Sequence, residues 1–195
     1  MKVKRQVETK IPTTWGSYKI IAFAESPDEL NPAVVLIHEE MDIDSPVMVR
    51  IHSECLTGDV FHSKKCDCGP QLEKSMQMIE ENHGILIYLR QEGRNIGLIN
   101  KLKAYKLQEE GMDTFEANVA LGFKYDQRKY DVAVEILEDL GVTQVRLITN
   151  NPEKIDAIDN SSIKLVERIK IEIPKNSFNS KYLQAKKDMM GHLIK

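Results

Sequence analysis

A surplus of basic charge is missing from this sequence. Its 27 lysines and arginines stand against 30 aspartates and glutamates, a formal net charge of −3 over 195 residues. General nucleic-acid binders need the opposite balance, because much of their affinity comes from displacing counterions from phosphate. That class is excluded, and positive charge for an anionic ligand has to be gathered locally, as it is around Arg90 to Lys103 and at Arg128 and Lys129. Long apolar runs are missing too. None approaches the ~20 residues of a bilayer-crossing helix, and Met1 to Lys10 lacks the apolar centre of a secretory signal. No membrane partner is therefore expected, and the cytoplasm is the expected compartment. An even cysteine count is also absent. There are three, which a disulfide framework does not use. No low-complexity stretch, internal repeat or Ser/Gly-rich linker interrupts the chain, so residues 1–195 are read as one domain, with no second domain expected.

What is present is an ordinary globular composition, 42% hydrophobic and 29% charged. The first third is strand-rich. Val3 to Thr9, Tyr18 to Ala24, Ala33 to His38 and Pro46 to Ile51 carry β-branched and aromatic residues between turn signals at Pro12 and Ser26 to Pro32. From Pro70 the spacing of Leu72, Met76 and Ile79 predicts a helix ending near Gly84. Ile85 to Leu89 then reads as a buried strand. A second helix is expected with Leu98, Leu102 and Tyr105 on its apolar stripe, and a third over Asp131 to Leu140 with Gly141 as its stop. A strand at Val145 to Ile148 and a closing helix at Lys181 to Met190 complete the pattern. Strand and helix alternating from Ile85 onward predict an α/β fold, a layered α/β/α domain around a mixed sheet.

Cys55, Cys66 and Cys68 fall within fourteen residues. Thiolates suit Zn²⁺, and cysteines grouped this closely in a reducing compartment more often bind metal than pair. Three protein ligands leave the fourth tetrahedral position for water, as in a catalytic zinc site; Cys₃ sites of this type occur in zinc deaminases. Two alternatives stay open on spacing alone. The thiols could be buried as small apolar groups, or His52 or His62 could close a structural four-ligand site.

The neighbouring residues carry a resemblance. Arg50 to Asp59 (RIHSECLTGD) and Cys66 to Leu72 (CDCGPQL) look like the zinc segment of GTP cyclohydrolase II. Leu89 to Leu98 (LRQEGRNIGL) resembles that family's second signature. Asp113 to Asn118, Leu121 to Phe123, Asp126 to Arg128, Thr149 to Lys154 and Gly191 to Leu193 continue the likeness in order, over about nine tenths of the chain. The resemblance implies a homodimeric enzyme that uses Zn²⁺ and Mg²⁺ to convert GTP to formate, pyrophosphate and a diaminopyrimidinone ribosylamine phosphate, the first step of riboflavin synthesis. It implies that Cys55, Cys66 and Cys68 hold the zinc. Around GTP it places Arg50, Ile51, His52, Ser53, Glu54, Gln71, Glu92, Gly93, Arg94, Thr114, Thr149 and Lys154.

Physical chemistry bears on several of these roles. Arg94 falls in a polar stretch between a strand and a helix, where free amides and the helix dipole favour phosphate, although no GxxxxGK phosphate loop is present. Glu92 repels phosphate and suits a metal, ribose or base edge. Asp126 and Arg128, two apart in extended backbone, face the same way. The resemblance makes Arg128 a nucleophile at the α-phosphate with Asp126 taking its proton, whereas a guanidinium is by nature a better electrostatic clamp. Tyr105 is implied in ring hydrolysis, with core packing as its alternative. Departures from the family pattern are His62, Lys65 and Phe115; of these, His62 is an imidazole that would compete with water if it reached the zinc.

Overall fold

The computed structural model describes residues 2–124 and 126–193, without the side chains of Thr114, Phe115, Lys181 and Met189. Its strands are β1 (Lys4–Pro12), β2 (Ser17–Ala24), β3 (Ala33–His38), β4 (Val47–Ser53), β5 (Ile85–Leu89), β6 (Gln144–Ile148) and β7 (Lys164–Ile169). Among the described residues they form one seven-stranded sheet in the order β1-β2-β3-β5-β4-β6-β7. The first three strands and the β3–β5 pair are antiparallel. The β5–β4, β4–β6 and β6–β7 pairs are parallel. The mixed sheet expected from the sequence is thus present, antiparallel at its N-terminal edge and parallel beyond.

Period-two alternation explains how the sheet is covered. In β4, Val47, Val49 and Ile51 join a core with Ile85, Ile87 and Leu89 of β5 and Val145 and Leu147 of β6. That face packs on α6 (Asp131–Asp139) through Ala133, Ile136 and Leu137, and on α7 (Pro152–Asp159) through Ile158. On the opposite face Tyr18, Met48, Leu86 and Ile148 pack on Met76 and Ile79 of α2 (Cys68–Glu81). Helices therefore cover both faces, an α/β/α arrangement. Beyond Met48 on this second face, β4 presents Arg50 and His52, both buried. Two charged or polar residues inside a strand otherwise this apolar mark where the core ends and the site begins.

The remaining helices are the turns α1 (Leu56–Asp59) and α3 (Glu92–Asn95), then α4 (Gly97–Glu109), α5 (Thr114–Ala120) and α8 (Ser180–Met190). The sequence had no clear signal for β7, an edge strand with Lys164, Glu167 and Arg168 that is largely exposed, or for the seven-residue α5. In α4 the expected apolar stripe is corrected: Leu102 faces solvent, and the buried positions are Lys101 and Ala104. The helix leans on a polar pocket rather than on the core, so its inward face is not its greasiest one. Gly141 does stop α6, at φ +75°.

Replacing Ile87, fully buried in a central strand, by Ala is expected to cost about 2–5 kcal/mol in urea unfolding. Leu30→Ala, at a position almost wholly exposed between β2 and β3, is expected to change stability by less than about 0.5 kcal/mol.

Candidate active site

The parallel strands β4, β5 and β6 all run toward one edge, where their C-terminal ends release Glu54–Asp59, Arg90–Asn95 and Thr149–Lys154. Ligands of open α/β sheets bind in the crevice outside such strand ends. A cavity of about 770 Å³ opens there, within the usual ~300–1,000 Å³ of small-molecule sites. A narrower cleft of about 60 Å³ adjoins it, sharing Ser53, Cys68, Arg128 and Tyr182.

The wall of the larger cavity carries the three cysteines. Their sulfurs lie within 4.8 Å of one another, and the Sγ atoms of Cys55 and Cys66 are 3.7 Å apart. Tetrahedral zinc with Zn–S bonds of ~2.3 Å requires sulfurs about 3.8 Å apart, so the donor set fits that ion. Backbone geometry forces the closeness. A Cβ on Gly58 would sit 2.8 Å from the Cys66 sulfur and 2.9 Å from Cys68 Cβ, and a Cβ on Gly69 would sit 2.3 Å from the Gly58 carbonyl oxygen. Neighbouring thiols, and then the Lys101 ammonium, pull the Cys55 thiol far below its usual pKa. The bond to Cys55 in turn pushes Cys66 up to about 11. Among the described residues no His, Asp or Glu completes the cluster. His62 is mostly exposed, 3.5 Å from Glu73, and His52 is committed to Asp59.

Two carboxylates pin the turn that follows β4. Asp59 accepts from the Cys55 amide at 2.9 Å and the Tyr88 hydroxyl at 2.8 Å, and contacts His52 Nε2 at 3.1 Å. Burial lowers the His52 pKa against the opposing pull of Asp59. Glu92 accepts from the Leu56 amide at 2.6 Å and, through its other oxygen, from Lys101 Nζ at 2.8 Å and its neighbour's amide. Lys101 also donates to the Cys55 sulfur at 3.1 Å. Its burial works against the charge, but the Cys55 thiolate and Glu92 hold its pKa above the usual value. Just after Glu92 the chain takes three consecutive left-handed residues, Gly93, Arg94 and Asn95, at φ +62°, +61° and +72°.

The narrow cleft gathers cations. Arg50 donates to the Ile148 carbonyl at 3.1 Å and to Gln71 at 2.7 Å, and Gln71 in turn bonds Asp67. Lys154 donates to the Ile51 carbonyl at 2.8 Å. Asn151 caps α7 by accepting from the Glu153 amide, with Pro152 at its first turn; this sets Lys154 inward. Arg128 grips Asp126 with Nε and Nη2 at 3.0 and 2.5 Å. Burial opposes the Arg128 charge, yet Asp126 raises its pKa overall, so the guanidinium stays protonated. Burial, then Arg50, Arg128 and Lys186, push Lys154 well below 10.5. His192 is driven to about 3 by burial and by Lys186, Arg128, Lys154 and Arg94. Arg50 Nε, His52 Nδ1 and His192 Nε2 are buried with no partner. Neighbouring cations that push down Lys154 and His192, together with buried donors left over, are features that suit an anion.

The expected site residues divide as follows. Ser53, Glu54, Cys55, Cys66, Cys68, Glu92, Gly93, Arg94, Tyr105 and Arg128 line the larger cavity. Arg50, His52, Ser53, Gln71, Thr149 and Lys154 line the cleft. Tyr105 is half-buried beside the sulfurs, with Lys65 Nζ 4.8 Å from its ring centre, so it faces the cavity and not the core. Ile51 and Asp126 line neither: the Ile51 side chain belongs to the core while its carbonyl holds Lys154, and Asp126 reaches the site through Arg128. The Thr114 side chain lies outside the described residues. Asp59, Asp67, Lys101, Tyr182 and Lys186 were not singled out from sequence. Lys101 and Lys186 had no signal there, since lysines on helices are usually solvated.

The family model described as GTP cyclohydrolase II matches residues 4–170. A GTP cyclohydrolase-2 of Actinobacillus succinogenes is 50% identical over 194 residues, covering 99% of this chain and 89% of its own. The riboflavin biosynthesis protein RibBA of Cytophaga hutchinsonii is 52% identical over 194 residues, 98% of this chain and 47% of its own, so the chain spans about half the length of such relatives. A solved two-domain 3,4-dihydroxy-2-butanone 4-phosphate synthase from A. baumannii shows a partial likeness, at 18% identity and a TM-score of 0.45 over 89% of this chain and 41% of that one. With one residue in two shared along nearly its whole length, and with the family match running through all three strand-end loops, this chain belongs to the GTP cyclohydrolase II family of enzymes.

Proposed function

We propose that the chain opens the imidazole ring of GTP as the first step of riboflavin synthesis, releasing formate and pyrophosphate. It would act as a homodimer in the reducing cytoplasm, where its three thiols stay available. The observation that carries this reading is the junction of two chemistries. A thiol trio with zinc spacing and a nest of buried cations border the same space, sharing Cys68 and Arg128.

Zinc would be held by Cys55, Cys66 and Cys68, and it supplies Lewis acidity at that end of the cavity. The substrate is the Mg²⁺ complex of GTP, its purine toward the sulfurs and its phosphates toward Arg50, Arg128 and Lys154. Arg128, kept charged by Asp126, stabilises the charge that grows on the α-phosphate as a water attacks the α-phosphorus and pyrophosphate leaves. A permanently protonated guanidinium has no lone pair for attack, which favours this clamp over a covalent role. At the ring, water adds to C8 and the C8–N9 bond breaks to a formamide; a second water releases formate and leaves the amine. Tyr105, whose pKa burial raises, keeps its proton and orients the reacting water. Lys101 and Glu92 hold Cys55 in register. Exposed apolar side chains at Val60, Phe61, Ile99 and Leu102 support pairing with a second copy.

The decisive assay incubates the protein with GTP and Mg²⁺ and follows products by mass spectrometry. One formate per pyrophosphate is expected; pyrophosphate without formate, or turnover of another purine nucleotide only, would overturn the reading. Cys66→Ser is expected to lose both zinc and formate release, and Gly58→Ala to lower zinc content in a folded protein; full zinc and activity in Cys66→Ser would falsify the catalytic metal. Arg128→Ala should slow pyrophosphate release by about 10²-fold or more. Because a bound polyanion restores the Lys154 pKa toward its usual value, binding should take up protons in the window between the depressed value and 10.5. Calorimetry in buffers of different ionisation enthalpy, repeated at several pH values below 10.5, measures that uptake.

A further inference from the structure

The family match ends at residue 170, yet the site does not. Beyond it, α8 and the turn that follows lie across both cavities: Tyr182, Gln184, Ala185 and Asp188 of the helix face the larger, and Tyr182, Lys186 and, past the helix end, His192 face the cleft. Lys186 is buried and donates to Asp67 Oδ1 at 2.7 Å. The Tyr182 ring centre lies 4.6 Å from Lys186 Nζ and 5.7 Å from the Arg94 guanidinium carbon. Gly191, at φ +60°, ends the helix and turns the chain so that the Leu193 amide donates to the Asn150 carbonyl at 2.9 Å. His192 is thereby set in the cleft with its Nε2 buried and unpartnered.

Burying a lysine ammonium is costly unless its three donors are used. Among the described residues Lys186 has one side-chain acceptor, Asp67, which it shares with Gln71. Four basic side chains meet here, Arg50, Arg128, Lys154 and Lys186, and among the described residues the carboxylates bonded to them are Asp67 and Asp126. A phosphate oxygen would satisfy the surplus, and Lys186 borders the same cleft as the other three. The neutral His192 imidazole also offers a donor without adding charge.

We propose that α8 forms the closing wall of the phosphate end of the site, with Lys186 a phosphate-binding residue and His192 Nε2 a second contact to the same anion. The inference rests on the reading of the cleft as the nucleotide's phosphate site. In this arrangement Tyr182 separates the purine end from the phosphate end, and anion binding fastens α8 to the sheet edge.

The probe is inorganic tripolyphosphate, titrated calorimetrically into the full chain, with guanosine as the phosphate-free control. A hydrogen bond to a charged partner contributes ~1.5–3 kcal/mol, so Lys186→Met should weaken tripolyphosphate about tenfold or more. Guanosine affinity and zinc content should stay at wild-type levels, and Lys186→Arg should retain most of the anion affinity. In hydrogen exchange, tripolyphosphate should increase protection of the α8 amides in the wild type and less so in Lys186→Met. The proposal is overturned if Lys186→Met binds tripolyphosphate like the wild type, or if zinc and both ligands are lost together, which would make Lys186 a prop for Asp67 between two cysteines. Failure of the wild type to release formate from GTP would sink the ring-opening reading instead, and the tripolyphosphate titration is read independently of it.

Discussion

The carboxylate of Asp59 receives the Cys55 amide, the Tyr88 hydroxyl and the His52 ring from three sides. A buried carboxylate is tolerated only with such company, and the company comes from two neighbouring strands, β4 and β5. The contact therefore does more than satisfy a charge. It fixes the direction in which the chain leaves β4, and so fixes where the first sulfur lies. Glu92 repeats the arrangement from the other strand end, reaching the Leu56 amide and Lys101, which touches the same sulfur. Cys66 and Cys68 come from the start of α2, whose close approach to α1 depends on the facing glycines at 58 and 69.

The second organising constraint is electrostatic. Arg50 and Lys154 are buried with carbonyl and amide partners instead of carboxylates, an arrangement that a core optimised for stability would avoid. Burial pulls Arg50 down to about 10 against the pull of Asp67. Such placement costs stability, and the anion proposed for the cleft would offset that cost, the usual relation between a binding site and the fold that carries it.

Much of the framework was legible because it obeys simple periods. Ala33–His38 and Ile85–Leu89 were bounded as the structure has them, since apolar β-branched runs between turn signals have few other fates. The helix α4 misled, because its inward face carries Lys101 and Ala104 and its exposed one Leu102; hydrophobic spacing reports a core, and this helix lines a cavity. The three cysteines, with Arg50, Glu92, Arg94 and Arg128, were marked by residue type and by family resemblance, and they line two adjoining cavities. Their supports, Asp59 and Lys101, were not separable from ordinary surface residues, since hydrogen-bond partners across strand ends leave no trace in local sequence. Ile51 shows the converse: it stands in a motif among site residues but turns its side chain to the core.

Three successive residues at Gly93, Arg94 and Asn95 wind the wrong way for L-amino acids, and for Arg94, which lacks the tolerance of glycine and asparagine, this costs on the order of 1–2 kcal/mol. Such a coil persists only while its ends are held, here by the Glu92 carboxylate on the Leu56 amide and by the Arg94 carbonyl accepting from the Gln127 amide. The turn after β5 is thereby tied on one side to the segment that bears Cys55 and on the other to the one that bears Asp126 and Arg128, so neither segment is placed independently of the other.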